Sequence, residues 1–258
     1  MNIVVVGGTG LIGSRVVDLL NGDGRFAVAV SPSSGVNTVT GEGLPEAFEG
    51  ADVVVDVSNS PSFADDDVLD FFTTSTRNQL AAERAAGVRH HVALSIVGAE
   101  LLPDSGYMRA KVAQEQLIRD SGQPFSLVRA TQFFEFALAI GEAGVDDGVV
   151  RVSSGTMQPI AAADVSRAVA RAAGAEPTNG IEEIGGPERM TQDDLVRRAF
   201  AATGDPRTVI GDPATPYFGA VLAGDELAPG PDAWIAPTTF AQWVSGRAWL
   251  AGRAAPKR

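Results

Sequence analysis

The 258 residues suffice for one large α/β domain, and a hydrophobic fraction of 45% supplies a core that excludes a largely disordered chain. With no cysteine, disulfides, thiolate chemistry and sulfur-ligated zinc are excluded. The 20 Lys and Arg against 32 Asp and Glu leave a net charge of −12, which repels phosphate backbones and anionic lipid, so neither a nucleic-acid nor a membrane partner is expected.

Ile3–Val6 is a short β-branched apolar run, the pattern of a strand buried on both faces of a parallel sheet. A glycine turn follows, and Leu11–Leu20 then carries apolar residues at helical spacing. Phe26–Val30 and Asp52–Val57 read as the second and third strands. Val68–Ala86 reads as a long helix stopped by Gly87, His91–Ser95 as the fourth strand, Tyr107–Ser121 as a helix stopped by Gly122, and Phe125–Arg129 as the fifth strand. This alternation predicts a Rossmann-like, doubly wound parallel sheet.

Beyond Arg129 the rhythm loosens. Helices are expected over Gln132–Ala143, Asp164–Ala173 and Thr191–Ala202, with Asp164 and Thr191 as N-caps, and short strands over Val149–Val152 and Gly180–Ile184. Gly204–Pro237, rich in Pro, Gly and Asp, is expected to form loops. Thr238–Leu250 is expected to be a helix carrying Trp243 and Trp249, ahead of a basic tail at Ala254–Arg258. The whole chain is read as one domain: residues 1–131 mainly a dinucleotide-binding core, 132–258 mainly a small C-terminal substrate lobe, with no sharp boundary.

No segment reaches the ~20 uncharged apolar residues of a membrane helix. The apolar start has no basic segment before it, so the cytoplasm is the expected location. His90 and His91, adjacent on a strand, point to opposite faces and do not readily share a metal; no metal is expected.

The strongest local signal is Gly7-Gly8-Thr9-Gly10-Leu11-Ile12-Gly13 between a strand and a helix. Gly7 suits the tight turn, Gly10 a close approach of backbone to pyrophosphate, and Gly13 close packing of helix on strand. The N–H groups of the turn, including Thr9, Leu11 and Ile12, and the positive helix end would face the phosphates. An NAD-specific site usually places an acid after the second strand; here stand Ser31, Pro32, Ser33 and Ser34. Serine hydroxyls can bond a 2′-phosphate and Arg15 can add charge, which favours NADP (NADPH) over NAD.

A second signal joins Ser95, at a strand end, to Tyr107 and Lys111, four apart on one helix face. An ammonium near a phenol lowers its pKa and readies it to exchange a proton with a carbonyl oxygen. Ser95 could hydrogen-bond that same oxygen. Arg109, between the pair, reads as a solvated helix residue.

These motifs resemble the short-chain dehydrogenase/reductase superfamily. Val54–Ser58, Ala86–His90, Leu127–Phe133 and Pro159–Val165 resemble its atypical, NmrA-like branch, over roughly residues 1–200. Many relatives carry an arginine near Pro32 and a proline at position 131, here Thr131. The resemblance implies a Rossmann-like domain closed by a small lobe, with the glycines on the pyrophosphate and Asp56, Val57 and Ser58 beside the cofactor. It implies Tyr107 as acid/base, Lys111 on the nicotinamide ribose, Ser95 orienting substrate, and Thr131, Gln132 and Phe133 lining the nicotinamide pocket.

The expected activity is hydride transfer from NADPH to a carbonyl, quinone or enone. Phe133, Phe134 and Phe136 are candidates for an apolar pocket, with Gln132, Phe133 and Phe136 as the substrate contacts and at least one phenylalanine in the core. The alternatives are an NADP-sensing regulator that binds a protein partner without turnover, and a cofactor-assisted epimerase, dehydratase or isomerase. The Tyr107 and Lys111 pair favours the enzyme.

Overall fold

In the computed structural model, residues 1–246 are described. Trp249 and the basic tail lie outside the described residues.

The first half alternates strand and helix: β1 (Asn2–Val6), α1 (Gly13–Gly22), β2 (Phe26–Val30), α2 (Leu44–Phe48), β3 (Val53–Asp56), α3 (Asp65–Ala86), β4 (His90–Ile96), α4 (Gly106–Asp120) and β5 (Phe125–Ala130). After β5 come α5 (Ala137–Ala143), β6 (Val145–Asp146), β7 (Val149–Ser153), β8 (Thr156–Met157), α6 (Ala162–Ala173), β9 (Gly180–Gly185), β10 (Met190–Thr191), α7 (Gln192–Thr203), β11 (Val209–Asp212), β12 (Trp234–Ile235) and α8 (Phe240–Ser245).

Seven strands form one sheet in the order β12-β9-β5-β4-β3-β1-β2, every neighbouring pair parallel. The chain steps from β1 outward to β2, then returns to place β3 on the other side of β1. The topological switch point therefore lies between β1 and β3, where open α/β sheets bind ligands beyond the carboxyl ends of their strands. Helices α1 and α6 cover one face through Val16, Leu20, Val165 and Val169, packed on Ile3, Val5, Val55 and Val92. The other face carries α2, α3 and α4, with Phe48 and Leu44 on Val4 and Val54, and Leu80 and Ile118 on Ala93 and Leu127.

Strand alternation separates the two histidines as expected. His90 Nε2 lies 2.9 Å from Ser126 Oγ, whereas His91 Nδ1 pairs with Glu83 of α3 at 2.7 Å.

The remaining elements build a lobe beside the strand ends. It contains a three-stranded sheet, β11-β7-β6, a small β10-β8 ladder, and α5, α7 and α8. Its core includes Phe134, Met157, Leu195, Tyr217, Leu227, Phe240 and Trp243, and Met108 of α4 reaches into it from the main domain. Phe134 is fully buried between Phe240 and Trp243, so Phe134→Ala would cost about 3–5 kcal/mol. The chain returns from this lobe to the main layers at α6, β9 and β12.

Several local expectations are corrected. Helix α1 begins at Gly13, because Gly10–Ile12 are spent on the turn. Gln132 and Phe133 are extended before a 3-10 turn at Phe134–Phe136, since their backbone pairs with the Ile160 segment. Asp164 is not the N-cap of α6. It sits inside the first turn, buried and paired with Arg167, and Ala161 holds the cap position. Thr191 holds the cap position of α7 but makes no capping hydrogen bond with its side chain. The Gly204–Pro237 stretch contains β11 and β12, each supported by a longer neighbouring strand.

Candidate active site

The floor of the site is the β1–α1 turn. Gly7 has φ +77°, and its N–H donates to Val30 O at 3.0 Å. A Cβ there would lie 2.8 Å from Ser58 N, so the turn rests directly on the segment leaving β3. At Gly13 a Cβ would fall on the Gly7 carbonyl, and only glycine lets α1 start this close to the strand. Gly10 differs: a Cβ would meet only Gly7 O, at 3.3 Å, and the residue faces outward with exposed Thr9 and Leu11. Ile12 is buried in the core, so only its backbone is available to a ligand.

No side chain caps α1, which leaves its positive end open to an anion. A glycine-tight turn, an uncapped helix end and exposed backbone at Gly10 suit a pyrophosphate.

Beyond β2, the serines satisfy one another. Ser31 N–H donates to Ser34 Oγ at 2.9 Å, Ser34 Oγ donates to Ser31 O at 2.9 Å, and the Ser31 and Ser33 hydroxyls are 2.8 Å apart. The structure thus places all three at the strand end, with hydroxyls already engaged locally. Arg15, in the first turn of α1, has its Nη1 buried without a hydrogen-bond partner among the described residues.

At the carboxyl end of β3, Asp56 is buried at the centre of a polar network. Its Oδ1 accepts from Ser58 N at 2.9 Å and Ser58 Oγ at 2.6 Å. Its Oδ2 accepts from Gln79 of α3 at 3.2 Å and Gln114 of α4 at 3.0 Å. Val57 N–H donates to Val6 O at 3.0 Å, extending the β1–β3 pairing to the edge of the turn. Asp56 is therefore the knot tying both helices to the switch point.

Tyr107, in the first turn of α4, stands among three phenylalanines. Its ring is 5.5 Å from Phe63, 5.7 Å from Phe218 in a stacked arrangement, and 6.0 Å edge-on to Phe72. Its hydroxyl donates to Asn59 Oδ1 at 3.0 Å. Burial pushes the phenol's pKa up to about 12, against the lowering pull of Asn59. Asn59, just past Ser58, escaped the sequence reading; its only signal was its position after the Asp56-Val57-Ser58 run.

Two expectations about Tyr107's partners are corrected. Lys111 shares its helix face, but the ammonium is drawn inward to Leu94 O at 2.9 Å and to the Gln114 carboxamide, over the Phe72 ring at 4.3 Å. It is 3% exposed, and burial lowers its pKa to about 8, opposed by Asp56 and Glu115. The Tyr107 phenol is raised rather than lowered, because burial dominates and Lys111 is bonded elsewhere.

Ser95 is also displaced from its expected role. Its buried hydroxyl lies at the Glu115 carboxylate, where it joins Arg129 in lowering the pKa of Glu115 against the rise that burial imposes. Glu115 is held in a bidentate pair by Arg129, at 2.8 and 2.7 Å. Strand alternation turns Ser95 toward this ion pair.

Beyond β5, Thr131 is buried, and its hydroxyl donates to Gln158 O at 2.6 Å. Gln132 is buried beside it. Phe133 stacks on Phe136 at 5.5 Å, and Phe136 is exposed, while Phe134 belongs to the lobe core. Arg109 is half exposed and bonded to Asp65 and Pro103 O, each at 2.7 Å. Among the described residues no helix is long and apolar enough to cross a membrane, and no group of three or more His, Asp or Glu is placed to hold a metal ion.

Residues 7–176 match the model of a family described as NAD(P)H-binding. The chain belongs to this NAD(P)H-binding family. Among individual proteins it is similar to a (4-alkanoyl-5-oxo-2,5-dihydrofuran-3-yl)methyl phosphate reductase of Streptomyces griseus, with 31% identity over 79% of this chain and 74% of that protein. In fold, the family member is similar to a UDP-N-acetylglucosamine 4-epimerase from Bacillus cereus, with a TM-score of 0.73, 19% identity, and 100% and 98% of the two chains covered. It is likewise similar to an NADPH-dependent quinone oxidoreductase from Escherichia coli, with a TM-score of 0.65, 22% identity, and 81% and 78% covered.

Proposed function

We propose that the protein is an NADPH-dependent reductase of a small conjugated carbonyl compound, an enone or quinone, with Tyr107 as the proton donor. The observation that carries this reading is the Tyr107 hydroxyl, held by Asn59 and walled by phenyl rings, at the sheet edge that also bears the glycine turn. The Streptomyces griseus reductase adds support, since its named substrate is an acylated dihydrofuranone, whose ring double bond is conjugated to two carbonyls.

Gly7, Gly10, Gly13 and the backbone of Thr9, Leu11 and Ile12 would hold the pyrophosphate, and Arg15 with Ser31–Ser34 would meet a 2′-phosphate. Asp56, Val57 and Ser58 would flank the bound nucleotide, Thr131 would close the nicotinamide end, and Gln132, Phe133 and Phe136 would line the substrate side. When bound, the reduced nicotinamide supplies a hydride.

Reduction at the β-carbon of an enone would leave negative charge on the carbonyl oxygen, and Tyr107 would transfer its proton to this oxygen, giving an enol that tautomerises to the saturated ketone while water returns a proton to the phenolate. A phenol with a pKa near 12 stays protonated across the neutral range and keeps its proton until charge develops. Lys111, bonded to Leu94 O and Gln114, acts as a positioning residue that braces Asp56 and the end of β4.

The test is a titration with NADPH and NADH followed by cofactor fluorescence, for wild type and Tyr107→Phe, with quinones and enones offered as oxidants. Tight NADPH binding, with turnover lost but binding kept in Tyr107→Phe, is the expected outcome. Binding without turnover on any acceptor would point to a sensor instead.

A further inference from the structure

The loop that leaves β3 is pinned by its own side chains. Asp56 Oδ1 accepts from the N–H and the hydroxyl of Ser58, and Ser60 Oγ accepts from Ser62 N at 3.2 Å. Ser62 Oγ in turn accepts from Ala64 N at 3.2 Å and donates to Asp67 at 2.8 Å. Hydroxyl and carboxylate turns of this kind hold a loop that has no regular secondary structure. Ser60 is buried, whereas Asn59 before it is exposed, so Asn59 is presented to ligands from a fixed backbone.

The partners of its carboxamide decide which way the group faces. Oδ1 lies 3.0 Å from Ser60 N and 3.0 Å from the Tyr107 hydroxyl. A backbone N–H only donates, so the atom it meets is the amide oxygen, and the phenol donates to that same atom. Nδ2 is left with its two N–H donors and no acceptor among the described residues. Because the oxygen and nitrogen share one carbon, this free donor stands next to the phenolic oxygen.

We propose that Asn59 is a further catalytic residue, its Nδ2 donating a hydrogen bond to the carbonyl oxygen that Tyr107 protonates. This inference rests on the reductase reading of the Tyr107 site. Negative charge developing on that oxygen meets a donor already in place, which requires no reorganisation at the moment of reaction. The Tyr107 hydroxyl rotates from Asn59 Oδ1 to the substrate oxygen and transfers its proton there, while Asn59 keeps both of its own. One amide thereby serves twice. Its oxygen holds the phenolic proton before substrate binds, and its nitrogen holds the oxygen that receives it.

Asn59→Asp separates the two ends. The carboxylate keeps an acceptor for Ser60 and Tyr107, but it loses the donor and sets a negative charge against the developing one. With cyclohexenone and NADPH, kcat is expected to fall about tenfold in Asn59→Leu and about a hundredfold in Asn59→Asp. If the oxygen end alone mattered, Asn59→Asp would be the better enzyme of the two, and that order overturns the proposal.

The donor is also read directly, by NMR of the side-chain amides with p-nitrophenolate, whose oxygen imitates that of an enolate. The Asn59 signals are identified by their loss in Asn59→Leu, and one of the two N–H protons is expected to move downfield as the probe binds. Amide signals that do not move overturn the proposal whatever the kinetics. Melting curves establish that the variants are folded, and the NMR measurement carries the test if Asn59→Asp is not. If wild type oxidises NADPH with no enone, the reductase reading fails on its own. The same measurement then decides the donor, a downfield shift supporting it and an unmoved signal overturning it.

Discussion

Tyr107 and Asn59 are joined by a 3.0 Å hydrogen bond across two crossovers of the sheet, the phenol arriving on α4 and the amide on the loop that leaves β3. Asn59 therefore fixes where the phenolic proton points. Asn59→Leu is expected to lower kcat about tenfold while NADPH affinity stays within a factor of two, whereas Tyr107→Phe costs about a hundredfold or more. Steady-state kinetics beside a nucleotide titration check both. Equal losses in the two variants would remove Asn59 from the account.

The three glycines of the turn separate folding from binding. Gly13→Ala places a methyl on the Gly7 carbonyl and is expected to destabilise the protein by about 1–3 kcal/mol. At Gly10 the new methyl meets only Gly7 O and otherwise faces outward, so Gly10→Ala is expected to melt near wild type yet bind NADPH about tenfold more weakly. Thermal melts with and without nucleotide distinguish them. A Gly10→Ala protein that binds normally would mean that the phosphates lie elsewhere.

Arg15 has an unpartnered Nη1, so removing it abandons no protein contact at that atom. Arg15→Gln is expected to weaken NADPH about tenfold or more, with little change for NADH, since a hydrogen bond to a charged group is worth more than a neutral one. Equilibrium titration of both nucleotides checks the difference. A loss of equal size for NADH would place Arg15 at the pyrophosphate instead.

Lys111 carries a pH signature. Its pKa is lowered by burial to about 8 in the folded state, against about 10.4 for an exposed lysine. The unfolded chain thus binds more protons between these values, and stability contributed by this group rises with pH across the window. That contribution is fully present above the unfolded value and is lost as pH falls through about 8, with a size of roughly 3 kcal/mol at most. Urea unfolding from pH 7 to 10 should show this slope in wild type and its loss in Lys111→Met. Identical slopes would return the ammonium to solvent.

Sequence made the frame legible because its signals are local. The wholly apolar Ile3–Val6, the glycine turn and the Gly87 stop each report on a few neighbouring residues, and the parallel sheet follows from their alternation. The site was legible in part. Helical spacing placed Tyr107 and Lys111 on one face but said nothing of where a long ammonium finds acceptors, and Leu94 O with Gln114 took it. The Ser95 side chain was judged by its place at a strand end, whereas pleat parity decides which way it turns.

Asn59 was missed for another reason. Its role depends on a loop brought against α4 by the tertiary fold, and no periodicity runs through that loop. The short β11 and β12 were missed likewise, since each is supported by a neighbouring strand rather than by its own few residues.

The most direct test of the central claim follows the hydride itself. NADPH deuterated at the transferable position of its nicotinamide is incubated with the protein and a conjugated enone, and the product is analysed by mass spectrometry and NMR. The account predicts one deuteron at the β-carbon of the saturated product, at a rate that collapses in Tyr107→Phe. A nucleotide that binds while its deuterium stays in place, with the substrate unchanged or merely isomerised, would contradict it.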